Sequence, residues 1–146
     1  MKIAIRGCLF TCILLALVLP VQMVNAQSPT PVPLTWPGYT GGHGGHIGEH
    51  FSYYCPPFDP NKGYIEGGNL YGTDLYTDNS GICGAAVHAG VITTASGGTV
   101  TIEIRPATSS YTGSTRNGVT SHNWTEPNPS QNVAYAFSTG GAAGTP

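Results

Sequence analysis

The chain reads as a single mixed α+β domain, on three observations. Residues 82–89 form a short helix by their flanks and are apolar on nearly every face. Residues 99–105 alternate polar and apolar without a break. Between and beyond them, 21 Gly and 12 Pro against 8% charged residues describe a turn-dense chain. It is not disordered, because apolar and aromatic side chains recur through residues 51–137, and a chain of this size can bury one modest core.

The order of segments begins with an export signal. Lys2 and Arg6 precede an apolar run at 9–19, and Val24-Asn25-Ala26 supplies small-residue cleavage chemistry, so residues 1–26 read as a signal peptide cut after Ala26. A membrane anchor is the poorer reading, since the run is short and Pro20 and Asn25 interrupt it. No second apolar stretch of membrane length follows, so the expected product is exported, without a membrane span, to a secreted, periplasmic or extracellular location. Cleavage removes Cys8 and Cys12 and leaves Cys55 and Cys83. It also leaves three basic residues, Lys62, Arg105 and Arg116, against seven acidic ones. An acidic chain without a basic cluster argues against nucleic acid and anionic membranes as partners.

Residues 27–50, Pro-rich and then Gly/His-rich, read as an extended arm, with the domain proper spanning 51–138 and a Gly/Ala tail at 139–146. Cys55-Pro56-Pro57 is extended because each proline restricts the residue before it. Asp59-Pro60-Asn61-Lys62-Gly63 is a turn by composition. Strand-like pairs follow at Leu70-Tyr71 and Leu75-Tyr76, punctuated by Gly67, Gly68 and Gly72. In the helix, Ile82, Ala85, Ala86 and Ala89 make one stripe, which Cys83 and Val87 widen until only Gly84 and His88 remain outside it. A helix apolar nearly all round is a buried helix. Asp78, Asn79 and Ser80 offer capping oxygens before it, and Gly90 stands where a left-handed cap requires glycine. Val100, Ile102 and Ile104 then face inward from the alternating strand, Asn117-Gly118 marks a tight turn, and Val133, Tyr135 and Phe137 mark a closing strand.

Two blocks carry a resemblance. Residues 76–92, YTDNSGICGAAVHAGVI, contain the pattern S-x-I-C-x-A-A-x-H-x-G-V-I, and residues 111–121, YTGSTRNGVTS, contain Y-x-x-S-x-x-N-G-V-x-S. Both patterns, in this order, resemble the LCCL domain. The resemblance implies an extracellular domain in which a central short helix is wrapped by antiparallel β-sheets, with Cys83 disulfide-bonded to Cys55. It implies no catalytic activity and no cofactor. It also implies binding to lipopolysaccharide or glycans, which family members are thought to recognise beside other domains in defence and matrix proteins.

The candidate site residues follow from weighing each cluster against a plain structural reading. His46-Ile47-Gly48-Glu49-His50 spells H-x-x-E-H, an inverted zinc-peptidase motif that works only on a helix, which Gly41, Gly42, Gly44, Gly45 and Gly48 oppose. His43, His46 and His50 offer at most an adventitious metal site on a polar arm. His88 is shared by the resemblance, yet a helix C-terminus suits a structural histidine. No nucleophile–base pair stands out, and Cys83 as a nucleophile conflicts with pairing in an oxidising compartment. Asn123-Trp124-Thr125 is a formal glycosylation sequon. Tyr111, Asn117 and Trp124, in the turn-rich segment 109–124, lack core periodicity and are the preferred binding residues, with His88 beside them. The function expected is a non-catalytic module recognising a glycan or another cell-surface component. A protein-interaction or envelope-structural role without a small ligand is the alternative.

Overall fold

The computed structural model describes residues 30–61, 65 and 69–138. The expected signal peptide, the terminal tail and Lys62 lie outside these residues. Eleven elements run in the order β1 (Val32–Pro33), β2 (His50–Cys55), β3 (Gly72–Thr73), β4 (Leu75–Thr77), α1 (Ile82–His88), β5 (Gly98–Pro106), β6 (Ser110–Tyr111), β7 (Thr115–Arg116), β8 (Val119–Thr120), β9 (Trp124–Thr125) and β10 (Val133–Phe137). Six strands form one sheet in the order β1-β2-β5-β10-β4-β3, and β6–β9 and β7–β8 form two small ribbons. Every pairing is antiparallel except β1 with β2. The α+β class and the sheet-covered central helix expected above are both present.

β5 is the frame of the sheet. Its alternation buries Val100, Ile102 and Ile104, while β2 pairs along one edge from Cys55↔Gly98 to His50↔Glu103. β10 pairs along the other edge, from Val133↔Pro106 to Phe137↔Ile102. The register carries Tyr53 opposite Val100, and both are buried. At the end of β2, Cys55 reaches α1 and is bonded to Cys83, with Cα atoms 5.6 Å apart, inside the span a disulfide needs.

All seven residues of α1 are buried, Gly84 and His88 included. Its C-terminus closes as a Schellman motif: Gly90, at φ +77°, donates to Val87 O, and Val91 donates to Ala86 O. Its N-terminus differs from expectation. The N-cap is Gly81, with no side-chain cap, because the three nominated oxygens are committed elsewhere. Asp78 holds His43, Asn79 Oδ1 accepts from Thr77, and Ser80 Oγ accepts from Tyr71 N. Main-chain carbonyls substitute: Gly38 O accepts from Ile82 N at 3.0 Å and Pro37 O from Cys83 N at 3.1 Å. Gly38 sits at φ +84°, and a Cβ there would stand 3.0 Å from Cys83 Sγ, so the loop reaches the helix only as glycine.

That loop corrects the boundary expected at Phe51. The described part of the segment expected as an arm, residues 30–50, is built into the domain. β1 pairs with β2, and Leu34 N donates to Tyr54 O. Trp36 donates its indole N–H to Pro56 O and packs edge-on against Phe58. Further on, Gly48 N donates to Ile104 O and Ile104 N to Glu49 O. The reason is that glycine supplies turns as readily as it supplies slack: Gly41, Gly42, Gly45 and Gly48 all adopt positive φ. Pro33 is tolerated because β1 is an edge strand.

The closeness of this packing is testable at Gly84. A Cβ built there would lie 2.4 Å from Ile65 O, a backbone atom. Alanine has about 1 kcal/mol more helix propensity than glycine, but overpacking of this kind costs about 1–3 kcal/mol. Gly84→Ala is therefore expected to destabilise, as read by denaturant unfolding. A gain in stability would show that the Ile65 segment yields freely.

Candidate binding groove

The four nominated binding residues fall in different places. His88 is fully buried. Tyr76 Oη lies 2.7 Å from His88 Nδ1, and Ser114 O lies 3.1 Å from His88 Nε2. One tautomer satisfies both contacts, with the Tyr76 phenol donating to Nδ1 and Nε2–H donating to the Ser114 carbonyl. Burial pushes the Tyr76 phenol up to about 12, which keeps that donor protonated. His88 is a buried polar hub that joins α1 to the segment leading into β7.

Tyr111 is also buried, at 5% exposure, and its hydroxyl accepts from Thr108 N. Its segment lacks core periodicity in the sequence. The segment is in fact made of strands two residues long, too short for alternation to show. Asn117 is exposed, but its role is backbone geometry. With φ of +51° at Asn117 and +77° at Gly118, the pair forms the turn between β7 and β8, and Asn117 Nδ2 donates to His88 O at 3.1 Å. It thereby satisfies a carbonyl that the helix end leaves open.

Of the four, Trp124 is the one that lines an open groove. It is 39% exposed on β9, with Tyr71 packed beside its ring at a centroid distance of 5.1 Å. It lines a groove of about 620 Å³ together with the 41–44 loop, Thr77, Asp78 and Asn79, and with Glu126, Asn128, Gln131 and Asn132 from the β9–β10 connection. Two carboxylates hold the walls. Asp78 Oδ2 accepts from Gly42 N at 2.9 Å and His43 N at 3.3 Å, and Oδ1 lies 2.5 Å from His43 Nδ1. Glu126 Oε1 accepts from Asn128 N at 3.0 Å and Asn132 Nδ2 at 2.8 Å, while Oε2 accepts from the Trp124 indole at 3.4 Å. These donors, the Asn128 amide first, hold the Glu126 carboxyl below the usual carboxylate range. Among the described residues no lysine or arginine is in the lining; Arg105 pairs with Glu103, and Arg116 with Asp74.

In the sequence Asp78 reads only as a cap, and Glu126, Asn128, Gln131 and Asn132 carry no motif. The available signal was the stretch EPNPSQN at 126–132, where three amide side chains crowd around two prolines. The three arm histidines take separate partners. His43 is buried between Asp78 and Tyr53 Oη, His46 pairs with Glu49, and His50 with Ser138 Oγ. The H-x-x-E-H string is turns leading into β2 and not a helix. Among the described residues no cluster of His, Cys, Asp or Glu is arranged to hold a metal ion, and no helix is long and apolar enough to cross a membrane.

These features define a small disulfide-bonded α+β module that encloses one buried helix and carries an open aromatic–amide groove. Residues 41–131 match the LCCL domain, and the chain belongs to the LCCL domain family. Human vitrin is 35% identical over 112 residues, covering 72% of this chain and 16% of vitrin. Bovine cochlin is 34% identical over 111 residues, covering 75% of this chain and 18% of cochlin. Human cysteine-rich secretory protein LCCL domain-containing 2 is 47% identical over 58 residues, covering 40% of this chain and 12% of that protein. The chain thus spans less than a fifth of the length of these relatives.

Proposed function

We propose that this LCCL domain is a secreted, non-catalytic module that recognises glycans in the groove beside Trp124. The observation that carries the reading is an exposed indole, fixed by Tyr71 and Glu126, standing over a surface rich in side-chain amides. Sugar rings present C–H groups that stack on an aromatic face, and their hydroxyls pair with neutral amide donors and acceptors. The side chains of Asn128, Gln131 and Asn132 line the groove beside the indole. Export is part of the reading. It is supported by the signal-like N-terminus, by a disulfide that needs an oxidising compartment, and by the word "secretory" in the name of one relative.

Trp124→Ala is expected to weaken binding to a neutral polysaccharide about five- to tenfold, the scale of an aromatic stacking contact. The far-ultraviolet circular dichroism should be unchanged, since the ring is exposed. Tyr111→Ala should instead destabilise the fold. Titration of immobilised polysaccharide reads the first effect, and thermal unfolding followed by circular dichroism reads the second. An absence of binding to any glycan by the parent chain would favour the protein-interaction role.

A further inference from the structure

The charges around the groove point to a narrower ligand class, an inference that rests on the glycan reading above. Asp78 has a partner of its own, because His43 lies against one oxygen and two backbone N–H groups hold the other. Glu126 differs. Its three donors are the Trp124 indole, the Asn128 main chain and the Asn132 amide, all neutral. Among the described residues the arginines are engaged with Asp74 and Glu103 and do not line the groove. The result is a fixed, uncompensated carboxylate directly beside an exposed indole. An aromatic face attracts a cation through its quadrupole, and a carboxylate attracts it through its charge. Uronic acid, sulfate or phosphate groups meet a like charge in the same position.

We propose that the subsite at Trp124 and Glu126 takes a protonated amine carried on a sugar, so that the groove prefers amino-sugar glycans to neutral or acidic ones. The shared chemistry is an ammonium group, which a choline-type lipid headgroup also presents, and the test separates the two sources.

The folded protein is titrated with a β-1,4-linked glucosamine tetramer, its fully N-acetylated counterpart, a uronic acid oligomer and phosphatidylcholine vesicles, each at low and physiological salt. Working at about pH 6 keeps the amine protonated, and Glu126 stays ionised there because its carboxyl lies below the usual range. The expected result is that the free-amine tetramer binds about five- to tenfold more tightly than the acetylated one at low salt. That ratio should shrink as salt rises, and the uronic acid oligomer should bind least. In Glu126→Gln the ratio should fall toward one, leaving only the smaller share that the indole supplies. If that variant fails to fold by circular dichroism, the salt dependence of the ratio in the parent chain decides the matter. Equal affinity for the two tetramers, or a preference for the acetylated one, overturns the amine subsite and leaves the glycan groove intact. Binding of neither tetramer and no other glycan overturns both. Vesicle binding without tetramer binding identifies a lipid headgroup and overturns the sugar assignment.

Discussion

Replacing Cys55 and Cys83 together by alanine is expected to lower the unfolding free energy by about 3–4 kcal/mol. The bridge joins residues 28 apart, and in the chain-entropy description a loop of that size confines the unfolded chain to roughly this extent. Both cysteines are fully buried against Ile82, Ala85 and Val100 in one apolar cluster, so losing the two sulfurs adds a packing defect to the entropic loss. Against a total of about 5–15 kcal/mol for a domain, this is a large fraction. At about 4–8 °C per kcal/mol for a small domain, the melting temperature should fall by roughly 15–25 °C. Thermal unfolding followed by circular dichroism measures it. A fall of only a few degrees would mean that the unfolded chain is already compact around these residues.

The second large effect concerns the N-terminal segment. A chain beginning at Phe51 is expected not to fold cooperatively at room temperature. It would lose the Gly38 and Pro37 carbonyls that receive the first N–H groups of α1, and the Leu34 and Trp36 side chains packed on the core. It would also lose the β1–β2 pairing and the Gly48–Ile104 bond, and Asp78 would be left without His43. Hydrogen bonds contribute about 1 kcal/mol each, and leaving a buried donor unpaired costs about 1–3 kcal/mol. Added to the lost apolar burial, the total rivals the stability of the whole domain. Urea unfolding of the two chains side by side provides the comparison. A truncated chain that melts within a few degrees of the parent would show that residues 30–50 rest on the domain without supporting it.

The parts of the fold that could be read from the residues are those in which one physical signal repeats. β5 is nine residues long, enough for alternation to be unmistakable, and α1 has few polar side chains to confuse its pattern. Gly90 and Asn117-Gly118 were legible because a positive φ restricts the choice of residue. β2 was not, since aromatic Tyr54 stands on its exposed face next to Tyr53 and Cys55 on the buried one, so residue types along it do not alternate although burial does. β1 and the 41–48 turns were hidden by composition, since glycine and proline look alike whether a segment wanders or wraps. The groove was illegible for a different reason. Residues 41–44, 77–79 and 124–133 approach one another only once the sheet has formed, and no spacing along the chain records that.

The place of β10 in the sheet has a consequence in time. It lies between β5 and β4, and Tyr135 stacks on Tyr76 and donates its hydroxyl to Ser80 O, just before α1. A chain emerging from its N-terminus therefore exposes Cys55 and Cys83 long before residues 133–137 arrive to complete the sheet over the helix. The sulfurs can find each other early, while the central pairing that gives the sheet its continuity must wait for almost the last described residues. Pairings so distant in sequence put folding in the slow range for small domains, milliseconds to seconds. During that interval the edges of β4 and β5 stand open, which is when such a chain is most exposed to pairing with its neighbours.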